Sequence, residues 1–367
     1  MGLIRLTLVF KFYLMSVYES RLDVQSRKKF FYPINDDLRT YLGKYNRDLK
    51  LMVQYSDLLR FPLSVPLLDK EGNDTLWETV YYEQREMEVL FPALTQIYAV
   101  MNTSGDIEVT DHLQIAQIDY CTFGNSKPFR IRVINKFNDN YDYFYVKVAD
   151  ASRVYGLELE HILSPNRIGY LTDGETLIED HISGLPGDVF IKTRLETSKF
   201  NQIRICKEFV KFNERCFIRL LGDMRSYNFV VHITPDIEGN QYRIRAIDFD
   251  QQSYEGRRQF YLPHYFKENK LLVLLGIKHM DSKTMRQYQE EERSLINNRI
   301  KLVHYRLADL LTCMKADVLA PQRKVDQLGE QLSEYHNLPA FSRCRSMGEL
   351  VEEQLNLYLS ERIKSTW

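Results

Sequence analysis

Between residues 113 and 148, three segments alternate apolar and polar side chains at a period of two: LQIAQIDY, FRIRVINKF and YFYVKVA. Turn residues separate them, with Asn138-Asp139-Asn140 marking a tight reversal. This spacing predicts an antiparallel β-meander with one face buried. Ala151–Leu163 then carries a helical pattern, with Ser152 as the expected N-cap and Pro165 as the stop. Two short strands are expected around 168–171 and 176–181, so this region reads β-β-β-α-β-β. From Pro186 onward the apolar residues recur at helical spacing, interrupted by one strand pair at 229–249 whose turn lies near Gly239-Asn240. Long helices are expected at about 201–220, 283–316, 322–336 and 346–364.

Residues 1–112 have a different character. Asp36–Leu42 reads as a helix, and FPLSVPLLDKEGND as a loop or short hairpin. Thr75-Leu-Trp-Glu78 has the capping-box pattern, which predicts a helix from about Leu76 toward Met101, bent at Pro92. The first seventeen residues are apolar but carry Arg5 and Lys11, too short a run for a membrane span. They are expected to pack as a strand or helix, or to precede a start at Met15. Forty-nine Lys+Arg against fifty Asp+Glu leave a net charge of −1, which argues against a non-specific nucleic-acid binder. Five cysteines with no Cys-x-x-Cys pair argue against a disulfide framework or zinc site and favour a cytoplasmic protein.

Four polar features stand in an order that matches one chemistry. In LGDMRSYNFVV, Asp223 and Asn228 are five positions apart, between a helix and a strand. Phosphoryl transfer needs a carboxylate to orient the attacking hydroxyl and oxygen ligands for a hard cation. Asp248 follows the apolar run YRIRAI at the far end of the same hairpin, where it can address the same metal. Lys147 alternates out of step with Phe144, Val146 and Val148, so it leaves the buried face of its strand. Glu158, on the helix that follows, shares a face with Val154, Tyr155 and Ile162; a buried Glu needs a cation, and Lys147 is the expected one, with Glu160 as the fallback. The bland alternatives are a capped surface turn for Asp223, an exposed strand lysine for Lys147 and a solvated helix face for either glutamate.

This order of strand Lys, helix Glu, Asp-x4-Asn and Asp-Phe-Asp, over about residues 113–260, resembles the protein-kinase-like fold. Gly222-Asp223 and Ile247-Asp248-Phe249-Asp250 are closer to the aminoglycoside and choline phosphotransferase branch than to eukaryotic protein kinases. The resemblance implies an α+β, two-lobed fold. A small antiparallel-sheet lobe with one helix (113–182) would precede a larger helical lobe (183–367), behind an N-terminal extension (1–112). It implies Asp223 as catalytic base, Asn228 and Asp248 as Mg2+ ligands, and Lys147, braced by Glu158, on the α- and β-phosphates of ATP. It further implies that Gly124, Asn125 and Ser126 cover the phosphates, that Glu179, Asp180, His181 and Ile182 form the hinge against adenine, and that Asp250 joins the second metal shell. Leu221 stands where that branch has His, the phosphate loop has a single Gly, and Lys147 and Glu158 are only eleven positions apart. The expected activity is Mg-ATP-dependent transfer of the γ-phosphoryl group to a hydroxyl of a small molecule. The competing readings are a protein Ser/Thr kinase, a nucleotidyl transferase on the same fold, and an inactive scaffold. The expected partners are nucleotide and a hydroxyl-bearing substrate, with neither nucleic acid nor membrane.

Overall fold

The computed structural model describes residues 29–103, 111–123, 126–195 and 198–364. The reading of the first seventeen residues therefore lies outside the described residues, as do Gly124 and Asn125. The chain divides into two compact units, Met1–Phe30 and Phe31–Trp367, and the second carries all the elements below. It is an α+β protein with eleven α-helices among the described residues.

Its main sheet has seven antiparallel strands in the order β1-β2-β3-β4-β5-β7-β6. These are β1 (Leu63–Leu68), β2 (Asp74–Tyr81), β3 (Leu113–Cys121), β4 (Phe129–Asn135), β5 (Tyr141–Val148), β6 (Tyr170–Asp173) and β7 (Thr176–Asp180). The sheet therefore runs back across residue 113 and takes two strands from the region read as an extension. Here the expected helix start at Leu76 is corrected. DTLWETVY is strand β2, paired with β1 on one side and β3 on the other, and Leu76 itself has a left-handed φ of 62°. Two ladders of backbone hydrogen bonds outweigh one local cap, because helix propensity is a weak local preference that tertiary pairing overrides. The helix begins eight residues later, as α3 (Gln84–Thr103) with Pro92 inside it. Before the sheet lie α1 (Asp36–Lys44) and the single turn α2 (Tyr55–Leu58).

Alternation gives the sheet two distinct faces. Ile115, Phe129, Ile131, Val133, Phe144, Val146 and Ile178 pack with Leu90, Leu94 and Ile97 of α3 into one hydrophobic core. The other face carries Arg130, Tyr143, Tyr145 and Lys147, so Lys147 is turned away from that core. Helix α4 (Ala151–Leu163) follows β5 and belongs to a second, larger core. Its N-cap is Asp150, whose carboxylate accepts from the Arg153 N–H, and not Ser152, which is fully buried. A carboxylate is also the better partner for the positive end of the helix dipole.

The second core is built from α4 and the helices α6 (Lys199–Ile218), α8 (Ser282–Leu302), α9 (His304–Ala316), α10 (Gln322–His336) and α11 (Met347–Lys364). The predicted helix over 283–316 is two helices, broken at Val303. A short sheet of β8 (Leu185–Pro186), β9 (Phe229–Asp236) and β10 (Gly239–Ala246) lies against it, with α5 (Gly187–Thr193) beside β8 and α7 (Lys270–His279) after the last short turns. Among the described residues no helix is long and apolar enough to cross a membrane.

Candidate active site

The loop between α6 and β9 holds Asp223 in a left-handed conformation with φ 58°. Non-glycine residues rarely adopt this region, and Asp is among those that tolerate it best. The surrounding hydrogen bonds fix it there. The Asp223 N–H donates to the Phe260 carbonyl at 3.0 Å, and Gly222 N–H to that of Gln251 at 3.2 Å. The Asn228 side-chain amide donates to the Asp223 carbonyl at 2.7 Å, and the Ile247 N–H donates to the Asn228 carbonyl at 3.0 Å. Asp223, Asn228 and the strand end before Asp248 are therefore joined by direct bonds. The exposed Tyr227 is within electrostatic reach of both carboxylates.

Asp223 accepts from Arg225 Nε at 2.7 Å, and Arg225 Nη1 continues to Glu268 at 2.9 Å. Burial raises the Asp223 pKa, and the Glu268 and Glu255 charges add to it against the opposing pull of Arg225. A carboxyl with a raised pKa is better suited to accept a proton near neutral pH than an ordinary aspartate.

On the sheet side, Lys147 Nζ lies 2.6 Å from Glu179 Oε2. This corrects the expected Lys147–Glu158 pair. Lys147 stands opposite Leu177 and Tyr145 opposite Glu179, so Lys147 and Glu179 are diagonal neighbours on one face of the β5–β7 ladder. Glu158 is fully buried elsewhere. It accepts from Tyr41 and Tyr170 hydroxyls, both at 2.6 Å, and from Arg306 at 2.8 Å, with Arg47 at 3.5 Å. Those contacts outweigh the cost of burial and hold its pKa below the ordinary range. Glu160 is ion-paired with Arg219. Both helix glutamates thus brace the fold. Glu158→Ala should cost about 3 kcal/mol of stability, since it strands charged partners that are largely out of water. Chemical denaturation checks this.

The side chain that joins the two halves of the site is Arg153, which the sequence reading did not single out. Its Nη1 meets Glu179 at 3.0 Å, its Nη2 meets Asp248 at 2.7 Å and its Nε meets Asp250 at 2.6 Å. Its side chain is 3% exposed. Burial alone would lower its pKa, but the three carboxylates raise it well above the ordinary value. Burial pushes Glu179 up, yet Arg153 and Lys147 more than reverse this, so Glu179 is ionised. Lys147 is lowered by burial and by Arg153. Asp248 is pushed up to about 6, by partial burial and then by Asp250. Gly156, one turn after Arg153, explains how the helix gets so close: a Cβ there would lie 2.9 Å from Phe249 Cβ. The signal in the sequence was an arginine at the start of a helix rich in Val, Leu and Ile.

The remaining expected residues divide. Ser126 lies in the loop that leads into β4, and this loop opens at the Lys147 end of the sheet because Phe129 stands opposite Val146. In the segment 179–182, Glu179 contributes its side chain to the ion cluster, and the Asp180 N–H is spent on the Gly169 carbonyl at 2.9 Å. The N–H groups of His181 and Ile182 make no backbone hydrogen bond among the described residues. His181 lies against Tyr143 and Tyr145.

Asp180 accepts from the Gly169 N–H at 2.8 Å and its pKa is raised from 3.8 to about 6, chiefly by burial. The folded state keeps this proton at a pH where the unfolded chain has released it. The group's contribution is therefore fully present below about pH 4 and is lost as pH rises through about 6. Asp180→Asn should be more stable than the native chain by about 1 kcal/mol at pH 7.5, after allowance for partial exposure, and equal to it at pH 4. Urea midpoints at the two pH values measure this; equal midpoints at both would contradict it.

A scan against protein-family models finds no match for the chain, and a search of curated proteins finds none either.

Proposed function

We propose that this protein is a Mg-ATP-dependent phosphotransferase with a two-lobed, protein-kinase-like arrangement. In it the seven-stranded sheet forms one wall of a cleft and the α6–β9–β10 region the other. One observation carries the reading: Lys147, Glu179, Asp248 and Asp250 are gathered around Arg153, while Asn228 is hydrogen-bonded to Asp223 at the same hairpin. A structural ion cluster alone would not account for a carboxylate held at positive φ beside a solvent-facing Tyr227.

In this reading Lys147, held by Glu179, meets the α- and β-phosphates, and backbone N–H groups of the β3–β4 loop cover them. His181 and Ile182 offer backbone groups to adenine. Asp223 orients the acceptor hydroxyl and takes its proton as the bond to phosphorus forms. Arg225, bonded to Asp223, holds that carboxylate in place. Two oxygens fit a hard cation: Asn228 Oδ1, whose amide is turned toward Asp223, and the second oxygen of Asp248, whose side chain is 34% exposed. Magnesium bound there would supply charge neutralisation on the phosphates. The class of acceptor is a small hydroxyl-bearing molecule, on the strength of the Gly222-Asp223 and Ile247–Asp250 forms.

The test is ADP formation from Mg-ATP in the presence of pooled hydroxyl-bearing metabolites. Acceptor-dependent ADP release that disappears in Asp223→Asn supports the proposal. Equal release by both proteins contradicts it.

A further inference from the structure

We infer that Arg153 is a resident cation that takes the place of a second metal ion at Asp248 and Asp250, so that the site loads one divalent ion and not two. The inference rests on the phosphotransferase reading above. All three guanidinium nitrogens are committed, to Asp250 at 2.6 Å, Asp248 at 2.7 Å and Glu179 at 3.0 Å. A guanidinium fork is planar, permanently charged and bound by geometry as well as charge. It has no room to swing out. The side chain is 3% exposed, and the helix that bears it is pinned to Phe249 through Gly156. A divalent ion bridging Asp248 and Asp250 would lie within a few ångströms of this charge, and like charges at such range repel strongly where water is scarce.

The donor set left over is that of a single ion. Among the described residues, no group of three His, Cys, Asp or Glu side chains could hold a metal by itself. Asp248 Oδ1 already accepts from Arg153 and from the Asp250 N–H at 3.0 Å. Its other oxygen and Asn228 Oδ1 accept no hydrogen bond among the described residues, and the Asp248 side chain reaches solvent. Two protein oxygens, completed by water and phosphate oxygens, suit magnesium, which keeps several waters and binds few carboxylates. Arg153 and Lys147 offset two of the three charges on Glu179, Asp248 and Asp250.

The experiment counts Mn2+, a spectroscopically visible hard cation, bound per full-length chain with a non-hydrolysable ATP analogue, by electron paramagnetic resonance. The wild type should bind one ion. Arg153→Gln, which keeps hydrogen-bonding capacity and loses the charge, should bind two. If Arg153→Gln does not fold, Arg153→Met takes its place, and the wild-type count still decides. Two ions in the wild type would overturn the inference and leave the phosphotransferase reading standing. One ion in both proteins would show that Arg153 does not exclude the second, which also overturns it. No bound ion in folded wild type would remove the metal-dependent reading itself, and this inference with it.

Discussion

Asp223→Asn should lower turnover about a thousandfold while ATP affinity stays within about threefold. The size follows from the loss of a positioned general base, which contributes roughly 10²–10⁴ in rate. The selectivity follows from where the side chain points. Its carboxylate meets Arg225 and makes no bond to Lys147, Arg153 or Glu179. Asparagine is the right replacement because it can keep the Arg225 contact and the left-handed backbone, so the loop is preserved. If turnover fell because the loop had collapsed, affinity and stability would fall with it. An unchanged turnover number in Asp223→Asn would remove Asp223 from the chemistry.

Glu179→Ala should destabilise the fold by about 3–5 kcal/mol, the range for breaking a buried ion pair by removing one partner. For a chain of this size that is a drop in Tm of about 5 °C. Two cations depend on this carboxylate, and both are out of water: side-chain exposure is 8% for Lys147 and 3% for Arg153. With Glu179 gone, Lys147 loses its 2.6 Å ion pair, and Arg153 keeps Asp248 and Asp250 alone. ATP binding should weaken as well, since Lys147 is no longer aimed. Adding Lys147→Met to Glu179→Ala should recover part of the stability and none of the binding. If residue 179 served only through its backbone, as a hinge position would, alanine would be silent in both measurements.

That contrast shows what sequence reasoning reached. The meander over 113–148 and helix α4 were legible because their periods are local and their ends are marked by turn residues and Pro165. The Asp223, Asn228 and Asp248 grouping was legible because one hairpin, β9–β10, joins all three over a short stretch of chain. The partner of Lys147 was not. Helical spacing correctly buried Glu158, but its partners Tyr41 and Arg306 lie 117 and 148 residues away in sequence, and no local pattern names them. The diagonal to Glu179 depends on β5–β7 register, which a one-residue slip would destroy. Strand β2 was misread for the same reason. Its stability comes from pairing with β1 and β3, while Thr75-Leu-Trp-Glu78 satisfies a local helix rule. Arg153 was the informative residue that went unread: a buried charge must be met by opposite charge, and here three carboxylates from two other elements meet it.

We propose that the hairpin and the sheet together form a magnesium-dependent nucleotide site. A thermal-shift titration with ATP, with and without Mg2+, on the wild type and Asp248→Asn addresses it most directly, because a ligand that binds only the native state raises Tm by mass action. The expected result is a rise in wild-type Tm that needs both ATP and Mg2+ and is lost in Asp248→Asn. No rise at millimolar Mg-ATP, or an equal rise in both proteins, would contradict it.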